Sequence, residues 1–502
     1  MKEVIIGVDG GTTAVKAVAF TLDGEIYATH HESVPVNYGS SGEAEQDMTL
    51  IWEAVASCLK AVAGQLDGHE IVGIGLTGQG DGLWLVDEHG DPVRPAANWM
   101  DGRAGDRVAA WNAAGKGDKV LQTTGTSLFS GLFPVLLEEL QEAEPEAMAS
   151  AATQLYCKDW LRFKLTGVKA TDYTEASRTF LNVNDVSGYS VELAESLGHT
   201  EALNLLPEVR HPAGAAVPLS AEAAELTGIP AGTPVGIGMI DVAITGAGLG
   251  AVENGATWLI LGTTGFVGTL LPAVADRKSD LSMVLATGND TQVLEFMAPM
   301  TGTPNLDWIK RMLSLDSADW SEIETVARKA GPGSHGVVYL PYASPGGERA
   351  PFLDPNASAS WQGMSLTTER EDILRSVYEG VAFSLVECIQ TLEVEDDLLV
   401  SGGGFRSDLL CEILADATGL TVVRQDAPEA GARGAAVLAL VSAGRFVTVQ
   451  DAADALGATT ETFEPNPANR DVYRAAYDLF LETRAALRPV WPAMRSVRKL
   501  TN

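Results

Sequence analysis

The feature that most constrains the fold is a strand, a glycine turn and a returning strand near the start of the chain. Val4 to Ile6 is a short β-branched run, and a second apolar run begins at Val15. Between them lies the turn Asp9 to Thr13, with two adjacent glycines. Glycines let a backbone approach an anion closely, so that N–H groups and threonine hydroxyls can bind phosphate oxygens. The pattern predicts a hairpin, and it leaves open whether the turn binds phosphate or only reverses the chain.

A second copy of this pattern lies far downstream. Thr257 to Leu261 is again an apolar run, and it leads into a turn of glycines and threonines, Gly262 to Gly265, followed by another strand-like run. Two such hairpins favour a nucleotide whose phosphates lie between two duplicated domains. The chain has 502 residues, more than one hydrophobic core usually serves, so two domains are expected.

The composition argues against several classes of function. A formal net charge of −33 repels nucleic-acid phosphates and anionic lipid, so neither partner is expected. No apolar run reaches the length of a membrane span, and no charged leader precedes an apolar segment. Four scattered cysteines without a CxxC motif indicate reduced thiols and show no zinc-binding spacing. We therefore expect a cytoplasmic globular protein.

A cluster of polar and aromatic residues lies between residues 79 and 103. A sugar or polyol needs hydrogen bonds to its hydroxyls and a flat apolar surface against its C–H face. The cluster offers both, although each member alone could be a solvated loop residue or part of the core: Gln79, Asp81, Trp84, Trp99, Asp101 and Arg103. The preceding run from Gly73 to Gly78 matches G-x-G-x-x-G, but a strand-like run follows where a dinucleotide fold requires a helix. That fold is therefore rejected, and no P-loop motif occurs.

Several independent blocks together resemble the FGGY family of carbohydrate kinases, within the actin-like, ribonuclease H-like ATPase group. The resemblance runs from the first strand to about residue 445. It implies an α/β fold of two duplicated actin-like (ribonuclease H-like) ATPase domains, residues 1–247 and 248–502, with a catalytic cleft between them. Besides the two hairpins, the blocks that carry it are TGQGDG at 77–82, WMDGR at 99–103, KDWL at 158–161, TDYTEAS at 171–177, Asp241, GERAP at 347–351 and SGGG at 401–404.

The resemblance also implies roles for individual residues. Asp241 is expected to be the general base towards the acceptor hydroxyl, and Asp9 to hold Mg²⁺. The acceptor is expected to contact Asp241 together with Gln79, Asp81, Trp99, Asp101 and Arg103. The residues expected to bind ATP lie in the two hairpins and two further glycine-containing turns: Gly10, Gly11, Thr12, Thr13, Lys16, Gly262, Thr263, Thr264, Gly302, Asn305, Gly403 and Gly404.

Within the family, the blocks around residues 77–86 and 157–177 look most like those of erythritol kinases, with kinases of L-xylulose and D-xylulose as the alternative. Xylulose kinases commonly carry histidine where this chain has Asp81. The expected ligands are ATP, Mg²⁺ and a small polyol or sugar, and a homodimer is kept open. An actin-like ATPase without a metabolic role is the remote alternative. It also stays open whether Asp81 contacts the acceptor or forms an ion pair with Arg103.

Overall fold

The first half of the chain is built on a mixed sheet whose central strand is β1. The structure, a computed structural model, describes residues 2–289, 291–426 and 428–501. The elements of this half are β1 Lys2–Gly10, β2 Ala14–Thr21, β3 Ile26–Ser33, β4 Asn37–Tyr38, β5 Ala44–Gln46, α1 Met48–Ala63, β6 His69–Gly78, β7 Leu85–Val86, β8 Ala96–Ala97, α2 Gly105–Ala113, α3 Lys116–Thr124, α4 Phe133–Ala143, α5 Pro145–Ser150, β9 Thr153–Gln154, α6 Cys157–Thr166, β10 Thr171–Asp172, α7 Tyr173–Ala176, α8 Val191–Leu197, β11 Val209–Arg210, β12 Val217–Pro218, α9 Ala221–Thr227, β13 Pro234–Val235, β14 Met239–Ile240 and α10 Asp241–Gly248.

The second half repeats the plan with β15 as its central strand. Its elements are β15 Thr257–Leu261, β16 Gly265–Leu271, β17 Met283–Ala286, β18 Val293–Met297, α11 Pro304–Met312, α12 Trp320–Ala327, β19 Val338–Leu340, β20 Ser360–Gln362, α13 Arg370–Thr391, β21 Leu398–Ser401, α14 Asp408–Thr418, β22 Val422–Asp426, α15 Ala430–Ser442, α16 Val449–Ala455, β23 Thr459–Phe463, α17 Arg470–Leu487 and α18 Trp491–Thr501.

The two main sheets share the arrangement of their central strands, which confirms the predicted duplicated fold. The first has the order β12-β13-β6-β1-β2-β3, with β14 also on β6, and the second has the order β17-β18-β16-β15-β21-β22-β23. In the first sheet β1 is antiparallel to β2 and parallel to β6. In the second, β15 is antiparallel to β16 and parallel to β21. Each sheet therefore opens with a hairpin whose turn lies at the same edge as the ends of the parallel strands.

Helix α15 follows β22 in the chain but packs on the first sheet. The contact is very close, because a β-carbon on Gly7 would lie 1.9 Å from the Ala432 carbonyl oxygen, and one on Gly75 would lie 1.9 Å from that of Ala435. Alternate residues of β1 then face opposite layers, with Val4, Ile6 and Val8 against α1 and Ile5 against α15. The packing thus ties residues 430–442 to the first half, whereas the predicted boundary assigns them to the second.

Two strands near the cleft are short because residues with positive φ interrupt the extended backbone. In the run Leu83 to Val86, which follows Asp81 and Gly82 with their positive φ, Leu83 forms an isolated bridge with Ala97 and only Leu85–Val86 is a strand. The run Val235 to Ile240 is interrupted at Gly238, which has φ +70° and where a β-carbon would lie 1.7 Å from the Leu76 carbonyl oxygen. Among the described helices, none has the combination of length and hydrophobicity that crossing a bilayer requires.

Candidate active site

A cleft of about 540 Å³ lies between the two halves, where the hairpin turns meet. Both predicted phosphate turns reach it, because Thr12 of the first and Thr264 of the second line its wall. Its lining residues include Thr12, Asp81, Trp99, Phe129, Arg178 and Asp241 from the first half, and Thr264, Phe266, Met283 and Arg349 from the second.

The second hairpin turn offers open space where an anion could approach. The Gly262 N–H donates to the Thr264 carbonyl at 3.1 Å, which closes a tight turn. No atom lies within 4 Å of the position that a β-carbon on Gly262 would take, and Thr263 is exposed. In the first turn, a β-carbon on Gly11 would meet the Ala14 carbonyl oxygen at 2.9 Å, while Thr13 is exposed. Both turns therefore place threonines at the cleft, beside glycines whose lack of a side chain lets an anion approach the backbone.

Four other residues predicted to bind ATP lie around the second hairpin. Gly302 packs under it, since a β-carbon there would lie 2.2 Å from the Thr263 carbonyl oxygen. Asn305 is buried, donates to the Gly302 carbonyl at 3.2 Å and accepts from the Tyr339 hydroxyl at 2.8 Å. Gly404 packs on the side chain of Leu261, whereas Gly403 is exposed with open space beside it. Gly302, Asn305 and Gly404 thus shape the turn, and Gly403 offers an accessible backbone.

Asp9, the predicted metal ligand, lies at the end of β1 beside the start of α15. A β-carbon on Gly431 would lie 3.2 Å from its Oδ2. Burial raises the pKa of Asp9 to about 6; nearby Lys16 lowers it and Glu429 raises it. Lys16 is held by Glu429, with 2.8 Å between Nζ and Oε2. A carboxylate that burial disfavours in its charged form is a suitable ligand for a divalent cation, which would restore the balance of charge.

Asp241 begins α10 immediately after β14, whose partner strand β6 also pairs with β1, so Asp241 lies at the same edge of the first sheet as Asp9. Its Oδ1 accepts a hydrogen bond from the Val242 N–H at 2.7 Å. No cation pairs with it among the described residues, and burial together with the negative charges of Asp9 and Asp81 raises its pKa to about 7. A carboxyl with a pKa near neutrality can accept a proton at physiological pH and release it again. The side chain is therefore suited to general-base catalysis.

Asp81 forms an ion pair with Arg178, not with Arg103. The Arg178 Nε and Nη2 donate to Oδ1 and Oδ2 of Asp81 at 2.6 and 3.1 Å. The alternative that Asp81 braces Arg103 is therefore wrong, because a turn with positive φ at Asp81 directs it into the cleft and away from the 99–103 loop. Arg178 is 3% exposed, and it also donates to the Thr126 hydroxyl and packs on the ring of Phe129.

Trp99 and Gln79 both brace the first phosphate turn. The Trp99 Nε1 donates to the Thr12 hydroxyl at 3.0 Å, and the Trp99 ring also lines the cleft. Gln79 is buried behind the wall and donates to Gln46 Oε1 at 2.7 Å, while Gln46 donates to the Thr12 carbonyl at 2.9 Å. The acceptor side of the cleft is thus connected to the phosphate turn through two short chains of hydrogen bonds.

Asp101 and Arg103 lie outside the cleft in a buried ionic network. The Asp101 carboxylate is fully buried, accepts from Arg103 Nε and Nη2 at 2.9 and 2.8 Å, and accepts from the Ala44 N–H at 3.0 Å. Arg103 also pairs with Glu45, which Arg94 contacts at 2.6 Å from the other side. The network joins the 99–103 loop to β5, so these two residues hold the wall that carries Trp99.

Three cleft residues were not singled out from the sequence. Arg178 follows the block at residues 171–177 directly, and the ion pair with Asp81 depends on a separation of 97 residues that no local pattern shows. Arg349 lies within the block at residues 347–351, and its guanidinium is 5.9 Å from the centre of the Trp99 ring. Met283 reaches the cleft from β17, with its sulfur 4.0 Å from Arg178. The last two contacts join the halves across the cleft.

Comparison with known proteins agrees with this architecture. The model of the N-terminal domain of the FGGY family of carbohydrate kinases matches residues 4–248, and that of the C-terminal domain matches residues 258–443. Erythritol kinase from Brucella abortus is 34% identical, with 98% of each chain covered. L-xylulose/3-keto-L-gulonate kinase from Escherichia coli is 29% identical, with 97% of this chain and 98% of that protein covered. Ligand-bound xylulose kinase from Lactobacillus acidophilus superposes with a TM-score of 0.90 at 25% identity, covering 98% of this chain and 100% of that one.

Proposed function

Because this chain belongs to the FGGY family of carbohydrate kinases, we propose that it transfers the γ-phosphoryl group of Mg-ATP to a hydroxyl of erythritol or a similar C4 or C5 polyol. The observation that carries the acceptor class is the Asp81–Arg178 pair in the cleft, together with the similarity to an erythritol kinase. Cytoplasmic location, expected from the four free cysteines, is part of the proposal.

In the proposed reaction the acceptor hydroxyl oxygen attacks the γ-phosphorus, and the bond from that phosphorus to the β–γ bridging oxygen breaks. The proton of the hydroxyl passes to Asp241, and ADP leaves with the electron pair of the broken bond. General-base catalysis supplies roughly 10²- to 10⁴-fold. Most of the remaining acceleration comes from holding phosphate on Gly10–Thr13 and Gly262–Thr264. Mg²⁺, with Asp9 as its protein ligand, would neutralise charge on the phosphates.

The pair of Asp81 and Arg178 suits a polyol for a chemical reason. Both Asp81 oxygens accept from Arg178 and still have lone pairs for hydroxyl donors. A reduced polyol offers one hydroxyl more than its ketose. A ketose carbonyl beside this carboxylate could form no hydrogen bond with it, because both groups are acceptors. Such a mismatch costs about 1–3 kcal/mol, or roughly 5- to 150-fold in discrimination. Arg178 could instead donate to a carbonyl, and this keeps L-xylulose and D-xylulose as the second candidate acceptors.

The test is a coupled assay of ADP release at fixed Mg-ATP, with a panel of C4 and C5 polyols and ketoses. We expect the largest kcat/KM with erythritol or another C4 polyol. Preference for a xylulose would replace the proposed acceptor while keeping the kinase. ADP release that does not depend on any acceptor would favour an actin-like ATPase and contradict the proposal.

A glycine substitution tests the phosphate turn separately. Gly262→Val fills space that the folded protein leaves open, so the fold should survive while Mg-ATP binding, measured by calorimetry, is lost. Gly105→Val is the matched control, since Gly105 also has open space beside it but lies at the start of α2. Unchanged affinity for Mg-ATP in Gly262→Val would remove this turn from the nucleotide site.

A further inference from the structure

Three side chains of the kinds that commonly bind transition metals lie close together at the outer strand of the first sheet. His30 and Glu32 lie on β3 and Cys58 lies on α1, and their ligand atoms all lie within 4.8 Å of one another. Within residues 2–289, 291–426 and 428–501, this is the one group of three such side chains at that spacing. The group is outside the cleft and none of its members has a role in the proposed phosphoryl transfer.

The fold produces this cluster from two simple regularities. Residues two apart on a strand share one face, so His30 and Glu32 project to the same side of β3, with 3.7 Å between Nε2 and Oε1. Helix α1 packs against β2 and β3 and turns Cys58 towards them, where its thiol donates to the Val15 carbonyl at 3.8 Å. Val15 is the residue that pairs with Glu32 between β2 and β3. The thiol therefore lies directly beside the strand position that carries the carboxylate.

The three donor atoms differ in kind, and this selects the class of ion. Imidazole nitrogen, thiolate sulfur and carboxylate oxygen suit Zn²⁺ and related transition metals, whereas Mg²⁺ and Ca²⁺ prefer oxygen alone. Zinc bonds of about 2.0–2.3 Å in a tetrahedron place ligand atoms roughly 3.3–3.8 Å apart, close to the spacing of His30 and Glu32. The Ser57 hydroxyl donates to Glu32 Oε1, which fixes the orientation of the carboxylate.

Exposure of the cluster gives a cation a path from solvent. The side chains of His30 and Glu32 are 42% and 36% exposed, while Cys58 is fully buried beneath them. A cation would enter between the two exposed ligands, reach the sulfur and keep water in its fourth position. Burial raises the pKa of Cys58 to about 12, so the thiol is protonated until a metal displaces the proton.

We propose that His30, Glu32 and Cys58 form a binding site for one Zn²⁺-type cation, separate from the Mg-ATP site. Binding forms a metal–sulfur bond, breaks the S–H bond and releases that proton to solvent, with no change of oxidation state. The sequence did not reveal the site because its ligands belong to no short motif and meet only when α1 packs on β3.

The probe is Co²⁺ added to the reduced, metal-free full-length protein. We expect one equivalent to bind with a thiolate-to-cobalt charge-transfer band in the near ultraviolet. Calorimetric titration with Zn²⁺ in two buffers of different ionisation enthalpy should show about one proton released per ion. Absence of any binding, or binding without the thiolate band, would overturn the proposal.

Single substitutions test whether each of the three side chains is a ligand of the metal. Cys58→Ser should abolish the band, and His30→Ala and Glu32→Gln should each weaken Zn²⁺ binding at least tenfold. His31→Ala and Cys411→Ser are the matched controls, since His31 is the next residue on β3 and Cys411 is a buried cysteine of the other half. If Cys58→Ser fails to fold, the two partly exposed positions still decide the question. Equal loss in His31→Ala, or no loss in His30→Ala and Glu32→Gln, would contradict the assignment.

Discussion

Two ion pairs from the same stretch of sequence have different surroundings in this protein. Asp81 pairs with Arg178 on the wall of the cleft, where both face the space between the halves. Asp101 pairs with Arg103 behind that wall, in a network with Glu45 whose members do not line the cleft. Both aspartates belong to blocks that resemble the acceptor site of the family, yet only one can contact an acceptor directly in this arrangement.

The contrast between the two pairs shows that a charged residue near a site can support the wall of the site instead of contacting the ligand. Asp101 fixes the loop that carries Trp99, and Trp99 in turn donates to Thr12 of the phosphate turn. Asp81 adds charge to the cleft itself, and it contributes to the raised pKa of Asp241. Substitutions should therefore separate into those that change chemistry, those that change acceptor preference and those that change stability.

Turnover should fall most when Asp241 is replaced, because it is the carboxylate of the cleft that no described cation neutralises. Asp241→Asn keeps the shape but cannot accept the proton, so turnover should fall at least 10²-fold. The fold and the affinity for Mg-ATP should be nearly unchanged, as measured by thermal melting and calorimetry. Near-normal turnover in the folded variant would remove Asp241 as the base.

The sequence predicted the fold well because hairpin and strand signals are local. Each of the two hairpins depends on residues that lie close together in the chain. Contacts between distant segments were not predictable in the same way. The Arg178 partner of Asp81, and the return of α15 to the first sheet over Gly7 and Gly75, depend on packing that no local periodicity encodes.

The next effect concerns acceptor preference at the pair on the cleft wall. Asp81→Ala removes a carboxylate that would accept a hydrogen bond from a hydroxyl of the polyol. The value of kcat/KM should therefore fall roughly 5- to 150-fold with erythritol, and by a smaller factor with the xyluloses. Asp81→His, the residue common in xylulose kinases, should shift the ratio further towards ketoses. Assays of both variants on erythritol, D-xylulose and L-xylulose measure the ratio. An equal loss on every acceptor would mean that Asp81 only holds Arg178 in place.

The pH dependence of activity tests the electrostatic link between Asp81 and Asp241. Because the base must be ionised, kcat/KM should fall about tenfold per pH unit below the pKa of about 7 that Asp241 has in the free protein, and level off above it. Asp81 raises that pKa, so Asp81→Ala should move the acid limb to lower pH. The raised pKa of Asp241 also affects the stability of the fold. The Asp241 carboxyl binds its proton more tightly in the folded state than in the unfolded state, where an Asp ionises near 3.9. Its contribution to the free energy of unfolding is therefore lost as pH rises from about 4 to about 7. A limb that does not move in Asp81→Ala would contradict the electrostatic link.

The smallest effect on chemistry is expected behind the wall. Asp101→Ala leaves Arg103 with Glu45 but removes a fully buried carboxylate and the acceptor of the Ala44 N–H. Loss of one partner from a buried pair typically costs about 3 kcal/mol, so the urea midpoint should drop clearly. Turnover at saturating substrate should change by less than about threefold, since no reacting atom is contacted.

Asp101→Asn is the matched variant, because its amide oxygen still accepts from Ala44 and part of the stability should return. A loss of kcat as large as that of Asp241→Asn, with an unchanged urea midpoint, would place Asp101 in the chemistry and erase the distinction between the two ion pairs.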